Sequence, residues 1–279
     1  MNKTDDSKTA VIVIADLHIN SSVSLCPPTV QLDDGGTYTS SRTQHWLWRS
    51  WLDFIKQVVI DTEGYRNILV INGDLGELDT KRRSNQIITP NKSTIQTMVY
   101  DTLLPILDHV NDTLVIRGTG AHEGKSSWLE EVIAHDIEAI PYSDSIASHW
   151  HFRGVCSDVK FVIAHHSNGT RLPWGKGGGA IKLASQTIWY YRVSRKVDPP
   201  DIVIRSHNHQ YSDSGGNFET FAVCTPSWTT ATEFYYRIGL ENVLADIGGL
   251  VFFCDDGQFR MKQYFFEPKE ARKVWAIKL

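Results

Sequence analysis

Residues 11–18 read Val-Ile-Val-Ile-Ala-Asp-Leu-His, an apolar run that ends in an aspartate and a histidine. The run is rich in β-branched residues and does not alternate with polar ones, which is typical of a strand covered on both faces. Asp16 and His18 follow the strand at once, with one residue between them. Because alternate residues of an extended segment point to the same side, this pair predicts two metal-binding side chains at the edge of a sheet.

Four further segments repeat this arrangement, since each is an apolar run followed by aspartate or histidine. They are Ile-Leu-Val-Ile-Asn-Gly-Asp (68–74), Leu-Val-Ile-Arg-Gly-Thr-Gly-Ala-His-Glu (114–123), Phe-Val-Ile-Ala-His-His (161–166) and Ile-Val-Ile-Arg-Ser-His-Asn-His (202–209). In an open α/β sheet, functional residues collect beyond the carboxyl ends of the strands. We therefore expect the five segments to converge on one rim of the fold.

The composition sets limits on the class of protein. The chain has 279 residues, a net charge of −4 and a sequence pI near 6.2, which argues against a surface devoted to nucleic acid. The four cysteines, with no Cys-x-x-Cys spacing, favour a reducing compartment. Since no apolar stretch is long enough to span a bilayer, we expect a cytoplasmic protein without membrane association.

The pattern along the chain predicts its organisation. The polar first residues indicate a flexible N-terminal tail at 1–10, and no linker divides the remainder, so 11–279 is expected to form a single domain. The segment 20–43 has no periodicity and contains Pro-Pro and Asp-Asp-Gly-Gly. It is either a flap facing the substrate or an ordinary surface excursion.

Helical patterns lie between several of the apolar runs. Residues 47–58 carry apolar side chains on one helical face, and Ser127 with Glu130 fits a capping box that opens a helix to about residue 139. After His209, aromatic runs separated by Gly-Gly and Asp-Gly turns indicate antiparallel strands. These patterns together predict two sheets packed face to face, with helices outside.

Carboxylates and imidazoles in one cluster suit Mn, Fe, Zn or a similar divalent ion. The pairs Asp16 with His18 and His207 with His209 cannot easily serve one ion together with Asp74 and His165. Two ions about 3.5–4 Å apart accommodate the whole set, lower the pKa of a bridging water to give hydroxide, and clamp the oxygens of a phosphoester.

In the order of these motifs, Asp-x-His, Gly-Asp, Gly-x-x-Ala-His-Glu, His and His-x-His, the chain resembles the calcineurin-like metallophosphoesterase superfamily. The 20–43 loop and the form Gly-Thr-Gly-Ala-His-Glu-Gly are similar to phage- and prophage-encoded members. The resemblance implies a four-layer α/β/β/α sandwich of two mixed sheets flanked by helices. It also implies roles for seven residues: the first metal on Asp16, His18 and His209, Asp74 as the bridge, the second metal on His165 and His207, and His122 as the catalytic histidine.

The sequence departs from the family pattern next to the catalytic histidine. Ala121 stands where the family has an asparagine that binds the second metal. A water, Thr119 or Glu123 takes that place, or the second site is weak. The resemblance also leaves a choice between His165 and His166, and we favour His165 because it directly follows the strand.

Other polar residues near the motifs receive weaker assignments. His166, Arg171 and Lys176 are candidate substrate contacts, although a flexible solvated loop is slightly favoured for the last two. Glu77 could orient a ligand, but we expect an exposed loop carboxylate. The expected function is hydrolysis of a phosphoester, with a phosphodiester such as nucleic acid or a nucleotide favoured by the resemblance. The alternative is a metal-binding scaffold with a degenerate second site.

Overall fold

The computed structural model describes residues 5–78, 86–124, 126–167, 177–231 and 245–268. In these ranges the strands are β1 (Asp5–Ile14), β2 (Thr29–Gln31), β3 (Thr37–Thr39), β4 (Tyr65–Asn72), β5 (Asp112–Ile116), β6 (Phe152–Cys156), β7 (Val159–Ile163), β8 (Ile202–Arg205), β9 (Ser212–Asp213), β10 (Phe221–Cys224), β11 (Gly248–Asp255) and β12 (Gln258–Phe265). The helices are α1 (Arg42–Asp61), α2 (Lys92–Leu107), α3 (Trp128–Asp136) and α4 (Gly178–Trp189), the last continued by a π-helical turn, Tyr190–Arg195.

The first sheet has the strand order β12-β11-β1-β4-β5. Strand β1 lies at its centre, where it pairs in parallel with β4 and antiparallel with β11. Strand β5 continues the parallel side, and β11 and β12 form an antiparallel hairpin. Strands β1, β4 and β5 therefore end at the same edge, as their apolar runs predicted.

The second sheet has the order β6-β7-β8-β10-β9. Strands β7, β8 and β10 are parallel, while β6 and β9 run antiparallel to their neighbours. Strand β6 pairs Phe152 with Ile163, so it begins at the edge where β7 ends. That edge carries the residues that follow β7 and β8.

Alternate residues of the central strands belong to different cores, which defines four layers. Val11 and Val13 pack in the core between the sheets, where residues of β7, β8 and β11 join them. Ile12 and Ile14 point to the opposite face and pack against helices α1, α2 and α3. On the outer face of the second sheet, Val203 packs against α4. The predicted α/β/β/α sandwich is confirmed.

Two local expectations need correction. Strand β1 begins at Asp5, so residues 5–10 belong to the sheet although they were expected in the flexible tail. Ser127 precedes α3, but it adopts a left-handed conformation with φ 45° and its side chain makes no capping hydrogen bond. The capping box occurs at α1 instead, where Ser41 and Gln44 bond each other's backbone.

The segment 20–43 is more ordered than its composition suggested. Strands β2 and β3 form a hairpin within it. Leu25 and Cys26 are buried in the core between the first sheet and helices α1, α2 and α3, the helix-side core. Its first residues are held by a hydroxyl pair, Ser24 with Thr229, at 2.6 Å. Its role as a substrate-facing flap stays a prediction.

Among the described residues, none of the helices combines the length and the apolar character that crossing a lipid bilayer requires.

The helix-side core makes a testable prediction about stability. Trp51 of α1 is fully buried, stacks on Phe54, meets Trp228 edge to face and donates a hydrogen bond from Nε1 to the Thr102 carbonyl at 3.0 Å. We expect Trp51→Ala to lower the free energy of unfolding by about 3–5 kcal/mol, because it leaves a cavity in the core and removes the hydrogen bond to Thr102. Denaturant unfolding measures the loss. Ile60→Ala on the exposed face of the same helix is the control, and equal losses in the two variants would contradict this packing.

Candidate metal centre

The five strand-end segments meet at one edge, as the sequence predicted. Among the described residues, the structure forms three groups whose potential ligand atoms lie within 4.8 Å of one another. The groups are Asp16 with His18 and His209; Asp16 with Asp74, His165 and His207; and His18 with Glu77 and His122. All seven residues that the resemblance singled out are thus brought together, with Glu77 added.

The first group is built on the end of β1. The Nε2 atoms of His18 and His209 face each other at 3.1 Å. Asp16 Oδ1 lies 3.2 Å from His209 Nε2 and 3.8 Å from His18 Nε2. Asp16 and His18 therefore direct their side chains to one group, whereas the pair His207 and His209 is divided, with His209 in the first group and His207 in the second.

The second group joins the two sheets. His165 Nε2 lies 3.0 Å from Asp74 Oδ2 and 3.8 Å from Asp16 Oδ1. His207 Nδ1 lies 3.6 Å from Asp74 Oδ2. His165 is buried in this group, whereas His166 is exposed and has ring contacts with His165 and His207, at centroid distances of 5.9 Å and 5.1 Å.

Asp16 is the residue that the first two groups have in common. Its Oδ1 atom stands between the histidines of both groups, while the Asp74 carboxylate belongs to the second group. The other carboxylate oxygen, Asp16 Oδ2, accepts a hydrogen bond from the His207 amide at 3.0 Å. The role of Asp74 as the bridge stays a prediction.

Glu77 is not the exposed loop carboxylate that we expected. It is 8% exposed, and its Oε2 accepts hydrogen bonds from His122 Nδ1 at 2.7 Å and from His18 Nδ1 at 3.2 Å. The expectation is wrong because the loop after β4 turns inward, where Glu77 N bonds the Ile19 carbonyl. The carboxylate thereby fixes the orientation of two histidine rings at once.

The hydrogen bonds made by the Nδ1 atoms of His165 and His18 determine which ring nitrogens carry lone pairs. His165 Nδ1 lies 2.6 Å from the Asn72 carbonyl, which can only accept, so this nitrogen holds the proton. His18 Nδ1 donates to Glu77 in the same way. In the neutral tautomers, the Nε2 atoms of both rings therefore present lone pairs to the interior of the cluster. A metal-binding histidine is commonly oriented by such a second hydrogen bond.

The interior of the cluster fits a cation. Three buried atoms that belong to it lack a hydrogen-bond partner among the described residues: Asp16 Oδ1, His165 Nε2 and His207 Nδ1. Lone pairs of oxygen and nitrogen facing each other in a dry site repel one another unless a proton or a metal ion lies between them. Mixed carboxylate and imidazole donors suit divalent Mn, Fe or Zn.

The negative charge of the aspartates also favours a cation in the cluster. Burial lowers the pKa of His165, but Asp74 and Asp16 outweigh it and raise the value to about 10. Burial raises the pKa of Asp74, yet His165 and the other histidines hold it well below its usual range. The site therefore keeps its aspartates ionised and attracts positive charge, which a divalent ion can supply in place of protons.

The backbone is strained at the residues of the site. Asp16, His18, Asp74, His207 and His209 all have positive φ, between 45° and 76°. Each such conformation costs a non-glycine residue about 1–3 kcal/mol, and such strain clusters at functional sites. The strand ends thus turn sharply to aim these side chains inward.

Gly118 allows the loop that follows β5 to lie directly against the loop that follows β4 and carries Asp74. A Cβ built on Gly118 would lie 2.2 Å from the Asp74 amide nitrogen and 2.3 Å from Asp74 Oδ1. This close approach allows the Thr119 amide to donate to Asp74 Oδ1 at 2.5 Å. The Thr119 hydroxyl lies 3.3 Å from Asp74 Oδ2, whereas Glu123 turns away to the Gly76 amide. Of the two side chains considered in place of the family's asparagine, Thr119 is the one at the cluster.

Arg171 and Lys176, which were candidate substrate contacts, lie outside the described residues. Of two further parts of the site, the sequence favoured the wrong role for the first and gave no prediction for the second. One is the Glu77 carboxylate, whose signal was its position three residues after Asp74. The other is a polar support in which the Asn72 side-chain amide donates to Ser206 Oγ at 2.6 Å and the Thr225 hydroxyl donates to the same atom at 2.8 Å.

No protein-family model matches the chain, and no curated protein matches it. Among solved structures, a single-site mutant of Vps29 from Entamoeba histolytica is similar at 13% identity with a TM-score of 0.39, over 93% of this chain and 100% of that chain. A dimetal phosphatase from Danio rerio is similar at 10% identity with a TM-score of 0.46, over 92% of this chain and 96% of that chain.

The close approach at Gly118 generates a prediction about metal binding. We expect Gly118→Ala to displace the Asp74 loop, lower the free energy of unfolding by about 1–3 kcal/mol and weaken Mn²⁺ binding, because the added methyl group overlaps Asp74. Titration calorimetry and thermal unfolding measure the two effects. Gly178→Ala is the control, since a Cβ there meets nothing within 4 Å. Unchanged Mn²⁺ affinity in Gly118→Ala would contradict this packing.

Proposed function

We propose that this protein is a metal-dependent phosphoesterase that holds two divalent ions in the strand-end cluster. The observation that carries the proposal is the position of Asp16 Oδ1, a buried oxygen without a hydrogen-bond donor that stands 3.2–3.8 Å from the Nε2 atoms of His209, His18 and His165. The imidazole nitrogens and carboxylate oxygens of the cluster converge on this buried oxygen, an arrangement that suits a cation.

The assignment of ligands follows from the groups. Asp16, His18 and His209 would hold one ion, and Asp74, His165 and His207 the other, with a carboxylate shared between them. When bound, two divalent cations supply Lewis acidity and activate water for attack on phosphorus. The orienting bonds from Glu77 to His18 and from the Asn72 carbonyl to His165 keep the ligand nitrogens aimed inward.

His122 is suited to stabilise the phosphoryl group or to protonate the leaving oxygen. Burial lowers its pKa, but the hydrogen bond to Glu77 and the nearby Asp74 outweigh burial and raise it. The ring therefore holds a second proton at higher pH than a free histidine, while its Nδ1 donates the other proton in the hydrogen bond to Glu77. A histidine that carries a proton beside a phosphate can act as a general acid.

A phosphodiester with an aromatic base is the substrate class that we favour. Trp150 is 57% exposed, and the Arg117 guanidinium lies over its ring at 5.1 Å. Arg117 directly precedes Gly118, and the segment with Trp150 leads into β6 at the edge where β7 ends. An exposed indole on this edge offers a stacking surface for a nucleobase, in a nucleotide or in nucleic acid.

Two finer expectations belong to this proposal. All four cysteines are free, which supports a reducing, cytoplasmic location. The similarity to phage- and prophage-encoded enzymes rests on the loop motifs alone and stays a prediction.

The alternative function is a metal-binding scaffold with one firm ion. Ala121 at the place of the family's amide ligand favours it, because the second group then depends on Thr119 or water. Metal analysis separates the two, since the scaffold would retain one ion or fewer per chain.

Hydrolysis tests the proposed function. We expect the Mn-loaded protein to hydrolyse a chromogenic aryl phosphodiester, and Asp74→Asn to abolish the rate through loss of a ligand. His122→Ala should lower turnover about 100-fold to 10,000-fold and leave the metal content intact, as removal of a general acid does. Steady-state kinetics with metal analysis measures both. An unchanged rate in Asp74→Asn would refute the two-metal mechanism, and loss of metal in His122→Ala would reassign that histidine as a ligand.

The stacking surface is tested by binding. We expect Trp150→Ala to weaken the binding of a fluorescently labelled oligothymidylate to the metal-free protein about 5-fold to 100-fold, because stacking on one base is lost. Fluorescence anisotropy measures the affinity. Trp189→Ala is the control, since Trp189 is 60% exposed but lies at the end of α4, outside the groups of the metal centre. Equal effects of the two substitutions would contradict a base-stacking role for Trp150.

A further inference from the structure

Two glutamates beneath the metal centre are buried and have no part in the proposed chemistry. Glu123 follows His122 in the loop after β5, and Glu130 lies in the first turn of α3. Their relative exposures are 1% and 0%. Carboxyl groups are rarely buried so completely without a cation or a hydrogen-bond partner, so their surroundings need an explanation.

One oxygen of each glutamate is bound to the backbone of the site. Glu123 Oε1 accepts from the Gly76 amide at 2.6 Å, and Glu130 Oε1 accepts from the Gly118 amide at 2.8 Å. Gly76 lies two residues after Asp74, and Gly118 is the glycine that packs directly against Asp74. The two carboxyl groups therefore hold the two loops that meet at Asp74.

The other oxygen of each glutamate has no donor. Glu123 Oε2 and Glu130 Oε2 are both buried without a hydrogen-bond partner among the described residues. The two side chains interact with each other, since each carboxyl group contributes to the pKa shift of the other. Two ionised groups in this position would repel each other in a dry interior. A single proton between the two Oε2 atoms would satisfy both of them.

We propose that Glu123 and Glu130 share one proton and act as a pair of positioning residues, which holds the Asp74 loop against the Gly118 loop. The proton-sharing pair itself is independent of phosphoester hydrolysis. Only its effect on metal binding rests on the proposed function.

The charges around the pair agree with this geometry. Burial, Glu130 and Asp74 raise the pKa of Glu123 well above its usual range, and burial with Asp74 raises the pKa of Glu130 to about 7. The nearest other charged groups face elsewhere: Glu131 pairs with Arg117, and His122 with Glu77. No cation among the described residues forms an ion pair with either glutamate.

Infrared spectroscopy of the whole protein tests the shared proton. At about pH 7 exposed glutamates are ionised, so a neutral buried carboxyl gives a separate carbonyl stretch. We expect this band in the wild type and in the control Glu138→Gln, whose side chain is exposed, and its loss in both Glu123→Gln and Glu130→Gln. The glutamine amide supplies the donor that the proton supplied, so either variant is expected to fold. Absence of the band in the wild type, or its survival in both variants, would overturn the proposal.

Stability against pH gives a second, independent readout. The folded pair keeps a proton that the unfolded chain releases above the usual glutamate pKa, so its stabilisation is complete at low pH and is lost as pH rises. We expect the unfolding equilibrium constant of the wild type to rise, relative to Glu130→Gln, by up to about tenfold per pH unit from about pH 4.5 to the raised folded pKa. Parallel profiles for the two proteins would contradict proton sharing.

Metal affinity tests the positioning role. We expect Glu130→Ala to weaken Mn²⁺ binding about 10-fold to 100-fold, as loss of a group that orients a ligand does, and Glu130→Gln to restore it. Equal weakening in the two variants would show that the carboxyl oxygen on Gly118 does not position Asp74. The infrared band distinguishes failure of this proposal from failure of the proposed hydrolysis, because it does not require activity.

Discussion

The mutual repulsion of buried lone pairs around Asp16 Oδ1 is the constraint on which the rest of the structure depends. This oxygen has no donor and stands 3.2–3.8 Å from three imidazole nitrogens. A fold tolerates such an arrangement only where a proton or a cation offsets the repulsion. The left-handed conformations after the strands and the glycine at position 118 bring Asp16 and Asp74 into one dry cluster.

The packing of the two sheets makes this cluster possible. Strands β1, β4 and β5 of one sheet and β7 and β8 of the other end at a common edge, so ligands from both sheets meet there. Hydrogen bonds then fix the orientation of the histidine rings: Glu77 orients His18 and His122, and the Asn72 carbonyl orients His165. Beneath them, Glu123 and Glu130 join the loops by their backbone amides.

Much of this could be predicted from the sequence, because strands buried on both faces are unbroken apolar runs and their ends are marked by aspartate or histidine. The sandwich and the convergence of the seven named residues follow from that pattern. The role of Glu77 did not, because its inward turn depends on a backbone bond to Ile19 that no local pattern encodes. The Ser127 capping box failed for a related reason, since the chain enters α3 through a left-handed residue. Strand β1 extends to Asp5 through pairing with β4, which polar residues alone do not signal.

The central claim is that the cluster holds two divalent ions with a shared carboxylate. Electron paramagnetic resonance of the protein titrated with Mn²⁺ tests it most directly, because two ions that share a ligand are magnetically coupled. The account predicts two ions per chain and a coupled signal that is replaced by the spectrum of isolated Mn²⁺ in His207→Ala. A wild-type protein that binds a single ion, or two ions without coupling, would contradict it.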